Sequence, residues 1–206
     1  MLEQAFSAFV TLFVTIDPLG LAPLFLALTA GMSRAERMQV SVRATLTALG
    51  ILVLFAVAGL GILSVFGITI HAFRIAGGVL LFYIAFEMIF EMRQDRKEKS
   101  AEIAKADHIR NIAIFPLAIP LIAGPGAISA TILLSGTYSD IGERLVLILI
   151  VAVNLAIAWL VFVAADRIEK LLGATGRIVL TRLLGLILAA LAVQFVADGV
   201  LAFAAR

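Results

Sequence analysis

The chain has 206 residues, of which 63% are hydrophobic and 15% charged, with a formal net charge of +2 and no cysteine. Soluble domains hold roughly 45–50% apolar and about 25% charged residues, so water is excluded as the main solvent and a lipid bilayer takes its place. The missing cysteines remove disulfides, thiolate metal sites and cysteine nucleophiles. With only His71 and His108 as imidazoles, neither a protein-built metal site nor a cofactor is expected.

Apolar runs of about 20 residues, enough to cross about 30 Å of hydrocarbon, fall at 5–30, 42–65, 68–92, 112–136, 144–165 and 177–203. They are apolar on both parities, which excludes the alternating strands of a β-barrel. The reading is an all-α membrane protein of six transmembrane helices in a single membrane domain, 1–206.

The first run has no Lys or Arg before Arg34, unlike a removable signal peptide, and is expected to stay in the mature chain. It carries Pro18 and Pro23, and proline inside a helix loses an N–H and clashes with the carbonyl four residues back. Asp17-Pro18 reads as the cap and first position of a second half-helix, with Gly20 beside the break. A carboxylate at mid-span costs about 2.5–3.5 kcal/mol on insertion scales. Asp17 is therefore either a substrate or proton site or a plain cap for Leu19 or Gly20, and the two roles are compatible.

The third run holds Arg74 in its outer third and Glu87 in its inner third. The following 93–111 stretch mixes Glu98 and Glu102 with Lys97, Lys99 and Lys105 at helical spacing and is expected to be a solvated cytoplasmic linker. In the fourth run Pro116, Pro120 and Pro125 repeat the disruption, and Gly124 and Gly126 flank the last of them. Ser129 in that run and Asn154 in the fifth are either substrate hydrogen-bond partners or helix-to-helix glue. In the sixth, Arg182 and Asp198 match the depths of Glu87 and Arg74, which suggests two structural ion pairs, Arg74 with Asp198 and Glu87 with Arg182.

Thirteen of the sixteen Lys and Arg residues lie in or beside the first, third and fifth loops, leaving Arg74, Arg144 and Arg206 on the other side. By the positive-inside rule, loops 31–41, 93–111 and 166–177 face the cytoplasm and both termini face outward. Nucleic acid is not an expected partner, because the basic residues sit between apolar runs.

Shifting the sequence by 107 residues lays Asp17-Pro18 on Gly124-Pro125 and Ala35-Glu36-Arg37 on Gly142-Glu143-Arg144. One more inserted residue lays Arg74 on Arg182 and Gly77 on Gly185. Residues 1–92 and 112–206 then read as two three-helix repeats, and an odd helix number inverts the second copy in the membrane. The two breaks would meet at mid-depth, where unwound backbone needs a polar cavity. Such a cavity offers N–H donors to a carboxylate and carbonyls to an ammonium.

The Asp17-Pro18-Leu19-Gly20-Leu21-Ala22-Pro23-Leu24-Phe25 and Ala123-Gly124-Pro125-Gly126-Ala127-Ile128 motifs together resemble the MarC family of integral membrane proteins, related to the NAAT neutral amino acid transporters. The resemblance spans essentially the whole chain. It implies a multi-pass inner-membrane protein with six helices that moves small neutral amino acids such as glycine and alanine. Leu21 departs from the pattern, since relatives carry a polar residue such as Asn there.

The expected function is thus secondary transport by alternating access, with proton or sodium coupling and homo-oligomerisation left open. Asp17, Pro18, Gly20, Gly124, Pro125, Gly126, Ser129 and Asn154 are the candidate substrate-binding residues. No enzymatic activity is expected. The alternatives are an intramembrane enzyme, for which His-Glu-x-x-His is missing, or a channel or scaffold.

Overall fold

The computed structural model describes residues 2–106, 112–138 and 140–204, with the backbone alone over 100–106. His108, Arg110 and Arg206, and the side chains of Glu102 and Lys105, lie outside the described part. Helices account for the regular structure, and there is no strand among the described residues. In chain order they are α1 (Leu2–Ile16), α2 (Pro18–Leu28), α3 (Arg34–Val65), α4 (Ile70–Ile89) and α5 (Met92–Ala106). An irregular coil, Ala113–Ile122, then leads into α6 (Pro125–Ser135), α7 (Ile141–Val163) and α8 (Ala165–Ala204).

Five spans are long and apolar enough to cross a bilayer, and Ala113–Ile122 with Pro125–Ser135, bent by 58°, makes a sixth. Local chemistry sets their starts. Ser33 and Glu36 form a reciprocal capping box at the head of α3, and Asp140 and Glu143 form the same box on α7. Thr69 caps α4 by accepting from the Ala72 N–H.

The interruptions follow the prolines. Asp17 adopts a left-handed conformation, φ 57° and ψ 64°, between α1 and α2. In the irregular coil Phe115 and Ile119 are extended, each forced out of helical geometry by the proline after it. Its hydrogen bonds close five residues back instead of four, as from the Leu117 N–H to the Ile112 carbonyl. Within α8 the helix changes direction at Gly173, φ 60° and ψ −178°, and an Arg177–Glu169 ion pair of 3.0 Å clasps the corner.

The molecule is apolar outside as well as inside. Leu54, Phe82, Leu145, Leu149, Leu160 and Leu186 stand exposed along the spans, as lipid-facing residues must. Of the five long spans the first is the most enclosed. Around it, α3 packs on α7 and α4 on α8. The α4–α8 seam depends on small residues: a Cβ added to Gly78 would lie 2.9 Å from the Ala192 carbonyl oxygen.

Two expectations are corrected. The start of the 93–111 stretch is not a solvated linker: α5 turns Arg93 and Lys97, each 6% exposed, into the bundle. The membrane ion pairs are also different. Glu87 faces Arg96 at 2.8 Å, Arg182 pairs with Glu91, and Asp198 accepts from Gln194 at 2.7 Å, while the Arg74 Nε is buried without a hydrogen bond. Depth matching along the spans could not foresee these pairs, because their partners Glu91 and Arg96 come from the connector between α4 and α5 and from α5 itself.

Candidate functional site

Asp17 is 2% exposed and is held from two directions. Its Oδ1 accepts from the Gly20 N–H at 3.1 Å, the cap that the Asp-Pro step predicts. Its Oδ2 meets the Lys97 Nζ at 2.9 Å. A Cβ on Gly20 would overlap the Asp17 carboxylate, so glycine is what lets the acid fold back over the start of α2.

The backbone around the break is nearly sealed. The Asp17 N–H still reaches the Phe13 carbonyl at 2.9 Å, and the Leu21 N–H reaches the Asp17 carbonyl at 3.1 Å. Arg93 donates to the Thr15 carbonyl, one turn before Gly20, and its Nη1 touches the Met88 sulfur at 3.2 Å. The break thus satisfies its polar groups with side chains, as buried backbone must.

The second break is left bare. Gly124 caps α6 with no side-chain hydrogen bond, and Pro125 follows as the first helical residue. A Cβ on Gly124 would lie 2.5 Å from the Pro120 carbonyl oxygen, so only glycine fits the tight return. A cavity of about 190 Å³ opens here. Gly124, Pro125, Gly126 and Ala127 form one wall, and Arg93, Arg96 and Lys97 of α5 form another. At about 30 Å³ for a water in the liquid, the space suits a small solute rather than a drug-sized one.

Three basic side chains face the positive end of α6; Lys97 is paired with Asp17 and Arg96 with Glu87, so the net positive charge offered to an anion comes from Arg93 and the helix end. A second cavity of about 100 Å³ lies beyond Arg93 and is lined by Asp17, Glu87, Glu91 and Asp95 as well as Arg93 and Arg177. That chamber is richer in acids and complements a cation. Burial pushes the Lys97 ammonium down to about 8, against the pull of Asp17, and pushes the Arg93 guanidinium down in the same way.

Of the expected binding residues, Gly124, Pro125 and Gly126 line the basic cavity and Asp17 the acidic one. Pro18 and Gly20 form the buried first turn of α2 beneath Asp17. Ser129 and Asn154 line neither chamber. The Ser129 hydroxyl sits where a Cβ on Gly77 would come within 2.9 Å, and the Asn154 Nδ2 donates to the Ile150 carbonyl of its own helix at 2.9 Å. Both occupy packing positions. Leu21 is fully buried in the core, so its departure from the polar pattern leaves neither chamber altered.

The residues missed are Thr15, Arg93, Arg96 and Lys97. The one local signal was that Arg93 and Lys97 are four apart on one helical face.

The bundle and the paired interruptions define a multi-pass, all-helical integral membrane protein. Residues 2–204 match the MarC family integral membrane protein model, and the chain belongs to that family. It is 39% identical over 199 residues to the UPF0056 membrane protein MJ1677 of Methanocaldococcus jannaschii, covering 97% of each chain. It is 38% identical to the UPF0056 membrane protein YvbG of Bacillus subtilis, over 93% of this chain and 91% of that one. The UPF0056 membrane protein YhcE of Escherichia coli is 36% identical, over 95% and 91%. No solved structure matches.

Proposed function

We propose that the chain is a secondary carrier of small neutral amino acids in the cell inner membrane, and not an enzyme. The observation that carries this reading is the basic chamber at the uncapped start of α6, joined to the buried Asp17 through one lysine. A zwitterion needs a cationic place for its carboxylate and an anionic place for its ammonium. The two chambers on either side of Arg93 supply them in that order. In the described conformation Lys97 occupies Asp17, so a substrate ammonium or a proton would have to compete with it.

Alternating access is supported by the layout of the two halves. The capping boxes at Ser33 and Asp140 stand 107 residues apart, and α3 and α4 pack on their counterparts α7 and α8. An inverted duplication would produce this arrangement. The charge bias of the loops favours outward termini. A carrier also fits these two aspartates better than an aspartyl enzyme, since Asp17 pairs with Lys97 and Asp198 with Gln194 and the two do not meet to share a proton.

Purified protein in liposomes tests the proposal. Saturable uptake of labelled glycine or alanine, accelerated by unlabelled substrate inside, is the expected result. Conductance without such counterflow makes the protein a pore, and neither activity removes the carrier reading.

A further inference from the structure

A third cavity, of about 380 Å³, lies away from both breaks, at the arginine-rich end of the bundle. It is enclosed by the end of α2, the start of α3, the end of α7 and the start of α8. Its cations are Arg34, Arg37 and Arg167, opposed by the single carboxylate of Asp166. Its floor is apolar, made by the stacked rings of Phe25 and Phe162, whose centroids are 4.7 Å apart, together with Met38 and Val163.

We propose that this cavity binds the phosphate of an anionic membrane phospholipid, with the glyceride end of the lipid resting on the phenylalanine floor. Charge is the first argument. Neither Arg34 nor Arg167 has an ion-pair partner among the described residues. The remaining pair, Arg37 with Asp166, is loose at 3.4 Å, and the Asp166 side chain is 70% exposed. The Arg37 Nε is buried with no acceptor, so this guanidinium has a donor that the protein itself leaves unused. Guanidinium forks match phosphate oxygens in pairs, and three of them against one acid favour a ligand of net negative charge.

Position is the second argument. All four enclosing helices begin or end here, on the side that gathers most of the Lys and Arg, so the arginines stand at headgroup depth. Basic pockets between spans at this depth are suited to anionic headgroups. A free phosphate would be served by the arginines alone and would leave the aromatic floor without a role. A phospholipid uses both halves of the cavity.

The test is thermal unfolding of the purified full chain in detergent with added phosphatidylglycerol, phosphatidylcholine or inorganic phosphate. Phosphatidylglycerol should raise the melting temperature by several degrees, and the other two should leave it near its starting value. Arg37→Gln/Arg167→Gln should lose the shift. Asp166→Asn, which removes the competing carboxylate, should move the response to lower lipid concentration, a gain that misfolding cannot imitate. Equal shifts from phosphatidylglycerol and phosphatidylcholine would overturn the proposal. An equal shift from inorganic phosphate would reassign the cavity to a soluble anion, and an unchanged response in both variants would place the lipid elsewhere.

Discussion

The two interruptions occupy corresponding places in the chain, yet they are finished in opposite ways. At Asp17 the turn carries its own carboxylate, keeps flanking backbone hydrogen bonds and is closed over by Arg93 and Lys97. At Gly124 the chain bends by 58°, has no side-chain cap and opens onto a cavity. One break contributes a charge and the other contributes bare backbone dipoles. On the carrier reading proposed above, that difference would let a pair of similar motifs recognise the two unlike ends of one small molecule.

The largest effect is expected from cutting the link between the breaks. Lys97→Met leaves the Asp17 carboxylate buried and alone, and removal of one partner of a buried pair costs about 3–5 kcal/mol. Denaturation in detergent should show this loss, and Asp17→Asn/Lys97→Met should recover most of it. A double variant as unstable as the single one would mean that the pair does not hold the first break.

Altering the open break should weaken binding more than folding. Gly124→Ala must push against the Pro120 carbonyl and tilt the first N–H groups of α6 away from the cavity. About tenfold weaker glycine binding is expected, about 1.4 kcal/mol, measured by equilibrium binding on the detergent-solubilised protein. Unchanged affinity would separate the cavity from substrate.

A smaller effect should follow from pH. Below about pH 8 Lys97 keeps its proton and holds Asp17; above it the ammonium is lost and the lock loosens, so uptake should rise through that value. The charged groups around this ammonium are Asp17, Arg93 and Arg96. Because burial lowers the folded-state value from 10.5, the unfolded chain binds more protons between about 8 and 10.5, and the Lys97 contribution to stability grows with pH across that window. Lys97→Arg stays charged and should flatten the uptake profile. The smallest change is expected from Ser129→Ala, which removes a hydroxyl packed against Gly77 and should shift stability by less than about 1 kcal/mol while leaving glycine affinity as it was.

Much of this was legible in the sequence. Apolar run length located the spans, and the prolines located both breaks, because hydrocarbon and the missing proline N–H each impose a local rule. Asp17 and Gly124-Pro125-Gly126 were found for the same reason. What could not be read was the destination of α5. Its acids and bases nearly cancel when counted along the segment, and only its packing against the breaks reveals that Arg93 and Lys97 face inward while Asp95 and Glu98 stay exposed. Arg74, Glu87, Arg182 and Asp198 were mispaired because matching depths within the bilayer says nothing about rotation around each helix axis. Ser129 and Asn154 illustrate the same limit: polarity in a span does not say whether the group faces a cavity, and here Asn154 bonds back to its own helix while Ser129 packs against Gly77.

Arg93 borders both chambers and, with the Lys97–Asp17 pair, stands between them. Rotation about a few single bonds would merge the two compartments while every helix stayed in place. On the carrier reading proposed above, the longest solute admitted would then be governed by a torsion, and an Arg93→Gly variant should accept bulkier molecules than the intact chain.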